Sequence, residues 1–142
     1  MSVLLDTNVV SELVARRPDA KVLRWMEQQD PETVFLSVIT IGELQRGIQK
    51  LPEAARRKKL TNWLHGHLLV RFTDRILPLD LPVMMTWGDL VARVEATGRK
   101  LPAIDSLLAA TVAHHGLALA TRNTRDFKLA GVSVINPWEG AA

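Results

Sequence analysis

The sequence predicts an α/β protein built on a parallel sheet of four or five strands, with helices covering both faces. Two observations carry this expectation. Short apolar runs alternate with longer segments of helical apolar spacing, and helix start and stop residues fall between them. A third is that no repeat, low-complexity tract or Gly/Ser linker interrupts the 142 residues, so 1–142 is expected to form one domain.

The elements follow in order. Val3-Leu4-Leu5 reads as a buried strand. Asp19 is placed to cap a helix to about Gln28, with Val22, Leu23 and Met26 on one face. Val34-Phe35-Leu36 is the second strand, followed by Val38, Ile41, Leu44 and Ile48 at helical spacing. Pro52 is suited to open a further helix bearing Leu60, Leu64 and Leu68. Residues 76–79 read as a short strand. Asp80 and Pro82 then supply a cap and an early-turn proline for a helix reaching about Thr97, where Gly98 stops it. The next helix starts near Pro102, carries Ile104, Leu107, Leu108, Thr111 and Val112, and ends before Gly116. Residues 117–120 and 132–135 complete the set as buried strands.

Composition narrows the function classes. There is no cysteine, so disulfide staples and thiolate metal sites are excluded, in keeping with a reducing cytoplasm. The apolar run before Asp6 is too short for a signal peptide, and no stretch approaches the ~20 apolar residues of a membrane span. A soluble cytoplasmic protein is expected. The net charge of +3 permits a polyanionic partner without requiring one. Arg56, Arg57, Lys58 and Lys59 read as a solvated helix face, whereas Arg122, Arg125 and Lys128 have acids for neighbours.

Those acids are the informative feature. Sheets of this class bind ligands beyond the carboxyl ends of their strands. Asp6 directly follows the first strand, and Glu43 lies on the helix after the second. Asp105 falls in the first turns of a late helix, and Asn123 and Asp126 follow the strand at 117–120. Carboxylates crowded together repel and take up protons unless a cation joins them. Oxygen donors without cysteine, and histidines (His65, His67, His114, His115) without ligand spacing, favour Mg2+ or Mn2+ over zinc. Each acid also has a purely structural role open to it. Asp6, with Thr7 and Asn8, suits a helix cap, Asp105 suits a helix dipole, and Asp126 suits a turn. Trp25, Trp63, Trp87 and Trp138 read as core or interface anchors. An aspartyl-phosphate enzyme or a phospho-receiver also places Asp after its first strand. However, position 8 is Asn8 where the former needs a second Asp, and the receiver's adjacent acid pair is absent.

Four stretches in order carry a family resemblance. Leu4-Leu5-Asp6-Thr7-Asn8-Val9-Val10-Ser11-Glu12 resembles the opening of PIN domains, and Ser37-Val38-Ile39-Thr40-Ile41-Gly42-Glu43-Leu44 their second motif. Pro102-Ala103-Ile104-Asp105-Ser106-Leu107-Leu108-Ala109-Ala110-Thr111 is similar to the third, and Ala120-Thr121-Arg122-Asn123-Thr124-Arg125-Asp126-Phe127 to the fourth. The ending Val134-Ile135-Asn136-Pro137-Trp138 resembles the VapC/FitB branch. The resemblance implies a PIN-like three-layer α/β/α fold. It implies a Mg2+- or Mn2+-dependent endoribonuclease that hydrolyses RNA phosphodiesters as the toxin of a toxin–antitoxin pair. It also implies a homodimer, a VapB/FitA-like antitoxin and a higher assembly of the two. Asp6, Glu43 and Asp105 are then the catalytic acids and metal ligands, Thr7, Asn8 and Thr40 orient them, and Arg122 and Arg125 contact RNA phosphate. Where many members carry Asp this chain has Asn123, an uncharged oxygen donor, so either Asn123 or Asp126 completes the acidic set. That departure keeps an alternative open: a catalytically weak or inactive PIN-fold protein that binds RNA or serves as a scaffold.

Overall fold

The structure is a computed structural model and describes residues 1–139. The last three residues of the expected domain, 140–142, lie outside the described residues. Five parallel strands form one sheet in the order β3-β2-β1-β4-β5. They are β1 (Val3–Leu5), β2 (Val34–Ser37), β3 (Ile76–Leu77), β4 (Ala118–Ala120) and β5 (Val134–Ile135). The expected strands at 76–79 and 132–135 shorten to two residues each, because both lie at sheet edges with a partner on one side alone. In register, Val3 lies beside Val34 on one flank and Ala118 on the other.

Strand alternation makes two cores. Val3, Leu5, Val34, Leu36, Ala118 and Ala120 pack on one face. There they meet α1 (Thr7–Leu13), α2 (Ala20–Glu27), α3 (Val38–Gln49) and the segment that begins with α4 (Ala54–Trp63). Leu4 and Leu119 point the other way, against α6 (Leu81–Ala96), α7 (Ala103–His115) and α8 (Thr124–Leu129). The result is three layers, helix–sheet–helix. Among the described residues no helix is long and apolar enough to cross a membrane.

The helix ends follow their local chemistry. Asp19, Ser37 and Asp80 accept backbone N–H bonds from Lys21, Ile39 and Val83 as N-caps of α2, α3 and α6. Gly116 ends α7 in the left-handed conformation at φ 67°, where a side chain would be strained.

Several expectations change. α4 starts at Ala54, not Pro52, and runs into a wide π turn at Leu64–Leu68 before the short helix α5 (Leu69–Arg71). Val38 is exposed, and α3 buries Ile39 and Thr40 instead, because the helix starts at once after Ser37 and turns position 39 inward. Arg56 and Arg57 are half-buried, and each donates to a carbonyl, of Val14 and Leu51 respectively, so only Lys58 and Lys59 are a solvated face. Two short helices were not expected. α1 begins right behind Asp6, and α8 holds Asp126 in its first turn rather than in an irregular turn.

Candidate active site

The topology dictates where a site forms. The chain lays β2 and β3 to one side of β1 and then returns to lay β4 and β5 on the other. Loops leaving β1 and β4 therefore diverge, and a crevice opens beyond their carboxyl ends. Asp6 follows β1 and Thr121 follows β4, with the Asp6 N–H bonded to the Ala120 carbonyl at 2.9 Å. The crevice is an open cleft of about 590 Å3 whose walls include Asp6, Glu43, Asp105 and Asn123.

Asp6 is both a helix cap and a site residue. Its Oδ1 accepts the Thr7 N–H at 2.7 Å, and its Oδ2 accepts the Thr121 hydroxyl at 2.7 Å. Only 7% of its surface is exposed. Burial pushes its carboxyl above the usual range, those two hydrogen bonds pull it back, and the Glu43 carboxylate adds to the rise. Asp105 enters from the opposite layer, in the first turn of α7. Burial foremost, then the charges of Asp6, Asp126 and Glu43, raise its carboxyl to about 6.

Neutral donors hold the remaining acids. The Thr7 hydroxyl donates to Glu43 and lies 3.3 Å from the Thr40 hydroxyl, which is fully buried behind it. The Asn123 amide donates to Asp105 at 3.2 Å and to Asp126 at 3.3 Å. Asn8 accepts the Arg122 N–H at 3.3 Å and sends its own amide toward Thr121, at 3.4 Å. Among the described residues no three acidic or imidazole side chains are drawn close enough to enclose an ion unaided. Glu43 and Asp105 are each held back against their own wall, by Thr7 and Asn123 respectively.

The expected site residues thus divide. Asp6, Thr7, Asn8, Glu43, Asp105, Arg122 and Asn123 line one cleft, with Thr40 beneath Thr7. Asp126 sits behind Asn123 and reaches the cleft only through that amide. Arg125 faces an adjoining depression. The four histidines are exposed and remote from the cleft. Three participants were missed in the sequence. Thr121 occupies after β4 the place that Asp6 has after β1, which was a usable signal. Glu12 lies six residues along from Asp6 near the end of α1, and its carboxylate accepts the Trp138 indole N–H at 3.4 Å. Trp138, expected as an anchor, packs against the core but also lines the cleft, with the Arg122 guanidinium 5.1 Å above its ring.

The PIN domain family matches residues 3–132. VapC ribonuclease Y4jK of Sinorhizobium fredii is 42% identical over 139 residues, 98% of this chain and 99% of that protein. Toxin FitB of Neisseria gonorrhoeae is 38% identical over 136 residues, 96% of this chain and 98% of its own. The structure of FitAB bound to an IR36 DNA fragment superposes with a TM-score of 0.93 at 34% identity, covering 99% of this chain and 98% of that one. By sequence and fold, this chain belongs to the PIN-domain family, on the branch shared by VapC and FitB.

Proposed function

We propose that the protein is a divalent-metal-dependent endoribonuclease and the toxin of a toxin–antitoxin pair. The observation that carries the reading is the confinement of Asp6 and Asp105 in one open cleft, where burial and neighbouring carboxylates raise both. Such groups resist ionising together, and a hard cation relieves the conflict. The donors fit Mg2+ or Mn2+, since all are oxygens and no imidazole is near. Asp6 and Asp105 are the ligands, Glu43 stands beside them, and Asp126 joins through Asn123. Once bound, the cation supplies Lewis-acid polarisation of a phosphodiester and acidifies a water.

The chain's own residues do the rest. Thr121 and the Thr7 amide fix both oxygens of Asp6, so its remaining lone pairs point in set directions. Glu43, steadied by the Thr7 hydroxyl, orients the attacking water. Arg122, exposed on the rim, pairs with a phosphate beside the scissile bond. The relatives named ribonuclease and toxin support the activity, and the FitAB structure on DNA supports a small antitoxin partner. A homodimer, a cytoplasmic location and a single domain over 1–142 complete the proposal.

The test is Asp6→Asn. Asn keeps the oxygen that accepts the Thr7 N–H and so keeps the cap, while losing the acceptor of the Thr121 hydroxyl, and circular dichroism is expected to show the fold retained. RNA cleavage with Mg2+ or Mn2+ is expected to fall on the order of 100-fold or more, and growth inhibition to disappear. Cleavage at the parental rate would overturn the nuclease reading. Neutral Asn123 between Asp105 and Asp126 favours a second reading, a catalytically weak PIN-fold protein that binds RNA without cutting it. A calorimetric Mn2+ titration separates the two, since that reading expects no binding that Asp105→Asn removes.

A further inference from the structure

Beyond Asn123 the surface changes sign. A depression of about 610 Å3 adjoins the acidic cleft and shares Asn123 with it as a wall. Its rim carries Arg99, Lys100 and Arg125, all exposed, with Asp126 the one acid in its lining. None of the three cations is spent on an ion pair, for among the described residues the one salt bridge joins Arg16 and Glu53 elsewhere. Two of the three come from the loop between α6 and α7, and the third from the first turn of α8. Gly98, at φ 80°, turns the chain after α6 to present Arg99 and Lys100, and Arg125 opens α8 after β4.

Lys100 also borders a third recess. This one, of about 250 Å3, is mostly apolar, with Glu95 and Lys100 in its lining, and lies between the carboxyl end of α6 and the start of α7. Trp87 forms one wall, half-buried, with its indole N–H donated to Ser106 at 2.9 Å. That bond fixes the ring, and Val91 and Leu101 line the same recess. An acidic notch, a cationic shelf and an apolar slot with a rigid indole thus follow one another, joined by Asn123 and then by Lys100.

From this order we infer that single-stranded RNA runs from the notch across Arg99, Lys100 and Arg125 and seats an unstacked base against Trp87. The inference rests on the nuclease reading and extends it to the substrate's path. A shelf of unpaired cations holds successive phosphates but does not distinguish sequences. An aromatic wall takes a flat base only where the strand is unpaired, as sequence-tolerant stacking requires. The scissile phosphate and the stacked base then lie on either side of the shelf, so selection would be for a loop or an unpaired stretch beside the cut.

The test uses the full chain in the Asp6→Asn background, which blocks cleavage, with a fluorescent single-stranded oligoribonucleotide and its blunt duplex as probes. Fluorescence anisotropy is read across a salt series. The Arg99→Ala/Lys100→Ala/Arg125→Ala variant is expected to weaken single-strand binding on the order of 10-fold and to flatten the log–log salt slope by about 2, from three lost phosphate contacts. Trp87→Leu is expected to weaken it by about 5- to 100-fold, the worth of a base–aromatic stack, with Trp87→Phe recovering most of the loss. The duplex should bind more weakly than the single strand and ignore Trp87→Leu. An unchanged affinity and slope in the triple variant, whose substitutions are all exposed and spare the fold, would overturn the path. Equal binding of duplex and single strand would overturn the base seat. Wild-type protein that cuts no RNA with Mg2+ or Mn2+ would instead sink the underlying reading, so the two failures are distinct.

Discussion

Asp6 shows how one side chain serves two demands that conflict. As a cap it is worth keeping ionised near the α1 amides, yet its burial beside Glu43 penalises that charge. Asp105 pays the same penalty from the other layer. The sign of the pH effect follows. A carboxyl raised in the folded state binds a proton there that the unfolded chain has already lost, so stability declines as pH rises through the folded value. In chelator, melting temperature is expected to fall between about pH 4 and pH 6.5 as Asp105 ionises near 6. Asp105→Asn should flatten that segment of the profile, and a profile that rises through the window in both proteins would refute the account. At this scale the sequence named acids that the fold brings to one cleft but not what steadies them. Thr121 and Asn123 act through bonds to residues 115 and 18 positions away, and no local pattern announces such a pairing.

The helices and strands were legible in proportion to their own periodicity and punctuation. α2 and α6 carry side-chain caps and apolar stripes, α7 is bounded by Pro102 and Gly116, and all three were read within a residue or two. α1 and α8 are seven and six residues long, too short for a period to register, and they exist because strand ends and caps hold them. The wide turn also left a trace. Leu60, Leu64, Leu68 and Phe72 recur every fourth residue, a spacing that drifts by about 40° per step on a regular α-helix. A π turn at Leu64–Leu68 winds the stripe back, and Leu64, Leu68 and Phe72 all stay buried. Caps matter most where the site hangs on them. Ser37 is fully buried and its hydroxyl accepts the Ile39 N–H at 3.0 Å, which starts the helix that carries Thr40 and Glu43. Ser37→Ala is expected to cost about 1–2 kcal/mol, read as a shift in the urea midpoint at constant slope. A loss under a few tenths would show that α3 is fixed by packing alone.

For the whole molecule, the proposed metal binding and folding are linked. A cation that binds the cleft and not the unfolded chain stabilises by mass action, about 2.7 kcal/mol at a hundredfold excess over Kd. At neutral pH, Mn2+ should therefore raise the melting temperature by several degrees, and Asp105→Asn should abolish the rise. An equal rise in both proteins would place the ion elsewhere. The three-layer plan itself was legible early, because alternating buried strands and helices admit few arrangements. Strand order was not, since it depends on which side of β1 the returning chain takes, and that choice is made by packing across residues far apart. The margins of the sheet have one more consequence. β3 and β5 are two residues long, so each offers a foreign strand almost no free rungs to dock on. Two copies of this chain are thereby steered away from zipping together by main-chain annealing, and any pairing between them has to be settled helix against helix.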